Sequence, residues 1–109
     1  MNEDIRRAIA YAASGRANGK FASSIYSYDS SGYTNMSENY DYGAGAHLGG
    51  MKDGDIYHYG QGAHIQLTMN GSQFKGYDYS SGSHFSGRVS GRSVELYDYG
   101  SGDYHNYQV

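Results

Sequence analysis

The chain has 109 residues and a formal net charge of −3, with 14 Tyr, 17 Gly, no Pro, no Cys and no Trp. This length indicates one domain, and the absence of Cys excludes disulfide crosslinks. The mild acidity argues against a sequence-independent nucleic-acid binder, which normally has a basic face. No segment contains the ~20 apolar residues that a membrane-spanning helix needs, and the N-terminal residues lack an apolar run of signal-peptide length. We therefore expect a cytoplasmic protein of one domain that binds neither membranes nor nucleic acid.

Large aliphatic side chains are scarce, since the chain has only 3 Val, 5 Ile, 3 Leu and 3 Phe. The tyrosines compensate for this shortage, because each can bury on the order of 150–250 Å². A buried Tyr hydroxyl also needs a hydrogen-bond partner. We therefore expect an ordered domain whose tyrosines pack at a half-wet surface or at an interface.

The first predicted element is an α-helix over residues 2–14. Asn2 fits an N-cap, and Gly15 fits the C-terminal end. Apolar side chains at helical spacing form one narrow stripe. The residues of this stripe are Ile5, Ile9, Ala12 and Ala13. The stripe predicts a helix that packs one face against the rest of the domain.

A nine-residue segment occurs five times between residues 20 and 109. Its first and third positions are Tyr, its sixth is Gly in four copies, and its eighth is His or Tyr. The copies are 26–34 (YSYDSSGYT), 40–48 (YDYGAGAHL), 57–65 (YHYGQGAHI), 77–85 (YDYSSGSHF) and 97–105 (YDYGSGDYH). Turn signals such as Asn70-Gly71 lie midway between the later copies. This spacing is typical of short strands in an all-β fold.

We interpret each copy as the tip of a β-hairpin. A three-residue loop commonly ends in the left-handed backbone region, where Gly has no steric penalty. The predicted loops are residues 29–31, 43–45, 60–62, 80–82 and 100–102. The sequence therefore predicts a mainly β fold, a tyrosine- and glycine-rich antiparallel meander of hairpins with one short N-terminal helix. The meander can form a sheet, barrel or sandwich, and a β-solenoid is the alternative, because regular repeats of this length also suit stacked rungs.

The absence of Pro leaves the strand edges without one of their usual protections. An open sheet of this kind exposes unpaired backbone groups that would pair with another chain. We therefore expect either closure into a barrel or the formation of oligomers.

A three-residue loop would place the first, third and ninth positions of each copy on one face of the sheet. In this register Tyr57 pairs with Ile65 and Tyr77 pairs with Phe85, and we expect this face to be the main buried face. The second and eighth positions would pair on the opposite face. The helix would cover the smaller apolar patch of that face, or lie across the tyrosines instead. A two-residue turn at Asn70-Gly71 would instead send successive Tyr pairs to opposite faces.

Sequence signatures of catalysis are missing. There is no G-x-S-x-G, H-E-x-x-H or P-loop segment, and Gly-x-Gly at 43–45 and 60–62 fits hairpin turns. The repeated segment resembles MORN and choline-binding repeats in being a short hairpin rich in Gly and aromatic residues. It has no Trp and its Gly positions differ from theirs, so we assign it to neither family.

The recurring Tyr pairs are the first candidate binding surface, because interface cores are enriched in Tyr. The candidate residues are Tyr57, Tyr59, Tyr77, Tyr79, Tyr97 and Tyr99. They predict a small non-enzymatic binding or structural module that acts through a Tyr-rich sheet surface. We expect it to work by self-association, as a homo-oligomer, or by binding a protein partner.

A row of His and Asp near the tips is the alternative site. Side chains on neighbouring strands lie ~4.5–5.5 Å apart at Cβ, so that two or three of them could converge on zinc. The residues of this row are His58, His64, Asp78, His84 and Asp98. The alternative function is thus divalent-metal or small-ligand binding, whereas an exposed ladder of Asp–His pairs would need no cofactor. A carbohydrate ligand would require exposed Tyr rings, with Tyr77 and Tyr97 as the residues to test.

Overall fold

The computed structural model describes residues 1–109 as one helix and ten antiparallel strands. Their bounds are α1 (Glu3–Asn18), β1 (Ser24–Ser27), β2 (Gly32–Asn35), β3 (Tyr40–Asp41), β4 (Ala46–Gly49), β5 (Ile56–His58), β6 (Ala63–Asn70), β7 (Gln73–Asp78), β8 (Ser83–Ser90), β9 (Ser93–Asp98) and β10 (Asp103–Gln108). All strands belong to one nearly closed, barrel-like sheet in the order β2-β1-β10-β9-β8-β7-β6-β5-β4-β3. The predicted mainly β meander with one N-terminal helix is confirmed, and the solenoid alternative is wrong.

The two ends of this sheet, β2 and β3, meet in a narrow contact. Met36, which follows β2, forms a β-bridge with Asp41 of β3. The Tyr42 N–H donates to the carbonyl of Asn35 at 3.1 Å. Closure leaves few free strand edges. It is one of the two outcomes that the sequence predicted, the other being the formation of oligomers.

The five repeat copies form five hairpin tips at the same end of the barrel, and each loop has four residues instead of three. Tyr77 pairs with His84 and Asp78 pairs with Ser83, so that the loop is residues 79–82. The sixth-position Gly is the last loop residue, and Gly82 has the left-handed φ of 69°. The tips were predicted at the right places, but their loops begin one residue earlier than expected.

The extra loop residue changes which positions face each other across each hairpin. The predicted pairing of Tyr57 with Ile65 is wrong, since Tyr57 pairs with His64 and Ile65 pairs with Ile56. The predicted pairing of Tyr77 with Phe85 is wrong for the same reason. The first position of every copy pairs with the eighth, and the second pairs with the seventh.

The opposite end of the barrel has two-residue turns between β6 and β7 and between β8 and β9. Gly71 and Gly91 take the first turn position with φ of 64° and 59°, where Gly is favoured. Both kinds of loop contain an even number of residues. The last three copies, which these turns connect, therefore present the same positions to the same face of the sheet. The buried second positions Ser27 and Asp41 show the same orientation in the first two copies.

This register turns the repeat tyrosines outward and the aliphatic residues inward, so the predicted tyrosine core is wrong. The interior face of the strands includes Ile25, Ile56, Ile65, Leu67, Phe74, Phe85, Val94 and Leu96, none of them more than 5% exposed. The only fully buried tyrosines are Tyr11 of the helix and Tyr107 of β10. The scarce aliphatic side chains are thus sufficient because they are concentrated on one face.

Helix α1 lies inside the barrel and packs against β1, β5, β6, β8 and β9. Its residues from Ile5 to Gly15 are buried on every side except at Arg6. The predicted single packing face is therefore wrong. Ala at positions 8, 10, 12 and 13 makes the helix narrow and apolar all round, which is the pattern of a helix surrounded by protein.

The ends of the helix follow from two different residues. Asn2 is the predicted N-cap, and its Oδ1 accepts a hydrogen bond from the Ile5 N–H at 2.9 Å. The C-cap is Gly19, in the left-handed conformation, so the helix is longer than predicted. Gly15, the predicted C-terminal end, lies within the helix, and the position needs Gly because a Cβ there would stand 2.3 Å from the ring of Phe21. The helix is neither long nor apolar enough to cross a membrane.

Candidate binding surface

The outer side of the five tips carries a ring of aromatic side chains, which we call the aromatic belt. It consists of the first, third and eighth positions of the copies: Tyr26, Tyr28, Tyr33, Tyr40, Tyr42, His47, Tyr57, Tyr59, His64, Tyr77, Tyr79, His84, Tyr97, Tyr99 and Tyr104. The third-position Tyr is the first loop residue and is exposed in every copy. Because the sheet closes on itself, the belt surrounds one end of the barrel.

Each copy holds its three belt rings in a triplet. The first-position Tyr contacts both the third-position Tyr and the eighth-position ring, with centroids 4.6–6.3 Å apart in all five copies. Most of these contacts are edge-to-face, and such pairs contribute about 0.5–1.5 kcal/mol each. The eighth-position His is therefore the cross-strand partner of a Tyr, whereas the sequence predicted an acidic residue or another His as its partner.

All six tyrosines predicted to bind a partner belong to the belt: Tyr57, Tyr59, Tyr77, Tyr79, Tyr97 and Tyr99. The third-position members are exposed, while Tyr77 and Tyr97 are half-buried at the centres of their triplets. Neighbouring copies also touch, since the rings of His64 and Tyr79 lie 4.9 Å apart. The structure thus brings the predicted residues together on one continuous surface.

The second position of each copy lies on the inner side of the wall and caps its own loop. These tip-cap residues are Ser27, Asp41, His58, Asp78 and Asp98, all at most 1% exposed. Each accepts a hydrogen bond from a loop N–H two or three residues later, as Asp98 Oδ1 does from Gly100 at 2.8 Å. Side chains of this kind stabilise tight turns by replacing a backbone acceptor.

Asp41 connects its tip to the helix. Its Oδ2 accepts hydrogen bonds from Arg7 Nη2 at 2.9 Å and from His58 Nε2 at 3.2 Å. Burial alone would raise the pKa of Asp41, but the hydrogen bonds from His58, Ala44 and Arg7 outweigh burial and lower that pKa to about 2. His58 Nδ1 accepts the Gln61 N–H at 3.2 Å, which leaves Nε2 as the ring atom that donates to Asp41.

The helix has two further contacts with the tip end. Asp98 Oδ2 faces the amino group of Met1 at 3.1 Å and Arg6 Nη1 at 3.4 Å. Burial opposes ionisation of Asp98, yet the hydrogen bonds from the amino group and from the Gly100 N–H outweigh burial and lower the pKa of Asp98.

The Tyr107 hydroxyl makes the second contact and donates to Glu3 Oε1 at 2.7 Å. Burial is the main cause that raises the pKa of Tyr107, and the contact with Glu3 raises it further. These pairs fix the first turn of the helix inside the tip end.

The predicted row of His and Asp does not form. His58, Asp78 and Asp98 point inward as tip caps, whereas His64 and His84 point outward in the belt. The reason is the register, because the second and eighth positions do not face each other in any copy. No group of three His, Asp or Glu side chains is arranged to hold a metal ion. His64 instead contacts Asp55, with Nε2 and Oδ2 2.7 Å apart.

Sequence reasoning missed the tip caps, although the seventh position contains a signal for them. The residue opposite each cap is small in four copies: Gly32, Ala46, Ala63 and Ser83. A small residue leaves room for a buried cap and its loop hydrogen bonds. An exposed polar ladder would not require this restriction in size.

The two sides of the tips therefore have different chemical roles. The inner groups are enclosed, and their hydrogen bonds go to the loops and the helix, which makes them a structural network. The belt is the part that a partner can reach. Comparisons of this chain with protein-family models, with curated proteins and with solved structures found no match.

Proposed function

We propose that this protein is a small non-enzymatic binding module that acts on protein surfaces through the aromatic belt, with self-association as the simplest form. The observation behind this proposal is that every exposed large hydrophobic side chain belongs to the belt. These side chains are Tyr28, Tyr33, Tyr42, Tyr57, Tyr59, Tyr79, Tyr99 and Tyr104. Contiguous exposed apolar surface is typical of interaction sites.

The construction of the belt favours binding. Tyr provides a large amphipathic contact area with little conformational entropy to lose. The triplet contacts already hold the rings in place, so that less ordering is needed when a partner arrives. Interface cores are enriched in Tyr for these reasons.

The strongest candidate for the centre of the interface lies where the barrel closes. Tyr28, Tyr33 and Tyr42 belong to the adjacent tips of the β1–β2 and β3–β4 hairpins and are 56%, 77% and 61% exposed. We call these three residues the closure patch. Exposed aromatic clusters of this kind supply the few side chains that dominate binding energy in protein interfaces.

The self-association form can be tested by sedimentation velocity over a wide concentration range. We expect reversible association of the natural chain, and its loss in the double variant Tyr33→Ala/Tyr42→Ala. The matched control is Tyr33→Phe, which keeps the ring and should keep association. A natural chain that stays monomeric at every concentration would exclude self-association.

Binding to another protein can be tested with a photocrosslinking amino acid placed at position 33 in cells. We expect one discrete crosslinked product from position 33 and none from position 68, which lies on the outer face away from the belt. If neither position gives a specific product and the chain is monomeric, the proposed function is wrong.

A further inference from the structure

The outer face of the long strands contains a shallow groove on the side of the barrel opposite the closure patch. In the cyclic order of strands its centre, β8, is half a turn away from the β2–β3 closure. The groove crosses β6 to β10 and has a volume of about 980 Å³, near the upper end of the range of ligand sites, ~300–1,000 Å³. Five strands at ~4.8 Å spacing give it a width of roughly 19 Å.

Polar side chains without partners line this groove. They are Thr68, Asn70, Gln73, Lys75, Arg88 and Glu95. None of their side chains takes part in a hydrogen bond or an ion pair within the protein, although Arg88 and Glu95 are directly opposite each other on β8 and β9. The groove therefore offers donors and acceptors that are free to bind a ligand rich in hydroxyl groups.

Aromatic rings form the wall of the groove nearest the tips. Tyr97, Tyr99 and Tyr104 line it, and the rings of Tyr99 and Tyr104 both pack against Tyr97 at 4.7 and 4.8 Å. Tyr99 and Tyr104 are 60% and 62% exposed. Fixed, exposed rings beside free polar groups match the two kinds of surface that a sugar ring has, one apolar and one hydroxylated.

The groove is also where the positive charge of the sheet lies. Lys75 and Arg88 are the only Lys or Arg in the ten strands. Both are exposed, in a chain with a formal net charge of −3. Two free cations against one glutamate favour a ligand that brings carboxylates of its own, because Arg and Lys recognise such groups by charge-assisted hydrogen bonds.

A second depression extends the groove toward the belt. It is lined by Gln66, Tyr77 and His84 and shares Lys75 and Tyr99 with the first. The ligand that fits both is extended rather than compact. We infer that this groove binds an oligosaccharide with acidic, uronic-acid units, whose rings lie against Tyr97 and Tyr99 and whose carboxylates pair with Lys75 and Arg88.

The test is a titration calorimetry experiment with an oligosaccharide of galacturonic acid. Its carboxyl-reduced neutral counterpart serves as the matched ligand. We expect binding of the acidic ligand that weakens with added salt, and binding of the neutral ligand that is about tenfold weaker or absent. No binding of the acidic oligosaccharide, or equal binding of both ligands, would overturn the inference. Tighter binding of an acidic peptide of equal charge would also overturn it in favour of a protein ligand.

Two groove variants identify the site. We expect Tyr99→Ala and Arg88→Gln each to weaken binding by about tenfold or more. Both variants should stay folded because both side chains are exposed, although Tyr99→Ala loses the ring contact with Tyr97. Tyr59→Ala is the control, since it removes an equally exposed belt ring outside the groove. The Tyr33→Ala/Tyr42→Ala variant should bind the sugar normally, which separates failure of this inference from failure of the proposed protein interface. Equal affinities in all variants would overturn the assignment.

Discussion

Tyr40 and Asp41 are neighbours in the sequence but lie on opposite sides of the barrel wall. Tyr40 packs against Tyr42 and His47 in the belt, with centroids 4.8 and 5.0 Å apart. Asp41 is fully buried and joins a loop, a histidine and the helix. The same division recurs in all five tips, so that one step along a strand separates surface from core. The outside should therefore tolerate change, while the inside should not.

Replacement of Asp41, on the inner side of a tip, should cause the largest loss in the free energy of unfolding. Asp41→Asn removes the charge that faces Arg7 at 2.9 Å, and breaking a buried ion pair costs about 3–5 kcal/mol. We expect a loss of this size in the free energy of unfolding, measured by urea denaturation. Tyr40→Ala, its neighbour on the outer side, is the matched control. A loss for Asp41→Asn no greater than that for Tyr40→Ala would contradict the structural role of the network.

The acid dependence of stability should reveal the same carboxylate. The folded-state pKa of Asp41 is about 2, below its ordinary value of 3.8, so the unfolded chain binds the proton more readily. Its contribution is therefore present above about pH 4 and is lost as the pH falls toward 2, and it amounts to roughly 2 kcal/mol. Urea midpoints measured across this range should fall for the natural chain. In Asp41→Asn this component should be absent, and an unchanged slope would refute the assignment.

Substitution of Gly87 tests whether the inner side of the barrel wall is equally intolerant of change away from the tips. A Cβ at this position would stand 2.1 Å from the Glu95 carbonyl oxygen and 2.5 Å from the Phe74 ring. Gly87→Ala should cost about 1–3 kcal/mol, as overpacked core positions do. Ser86→Ala, on the outer face next to it, should cost less than about 0.5 kcal/mol. Thermal unfolding of the two variants gives the comparison, and equal stabilities would mean that the strands can move apart.

Tyr33→Ala should cost less stability than the substitutions on the inner side. The Tyr33 ring is 77% exposed and contacts Tyr26 at 4.8 Å, so Tyr33→Ala should cost less than about 1 kcal/mol. Ser27→Ala in the same hairpin removes a buried cap and the hydrogen bond to Glu3, and should cost more, about 1–2 kcal/mol. The reverse order, in chemical denaturation, would mean that the belt contributes more to folding than the caps do.

The local features of this fold could be predicted from the sequence because they depend on neighbouring residues. The N-cap at Asn2 and the positions of the five tips follow from side-chain and turn chemistry within a few residues. The predicted binding tyrosines do lie on one surface. The prediction that these tyrosines face the core was wrong. It depended on whether the third-position Tyr ends a strand or begins a loop, and in the structure it begins the loop.

By itself, the sequence determined that the chain forms a helix followed by repeated antiparallel hairpins with like positions on like faces. Only the tertiary structure decided that the helix lies inside, that β2 meets β3, and that Asp41 pairs with Arg7. These are contacts between residues far apart in the chain. They arise because a narrow Ala-rich helix fills the space within the closed sheet, and no local pattern specifies such a fit.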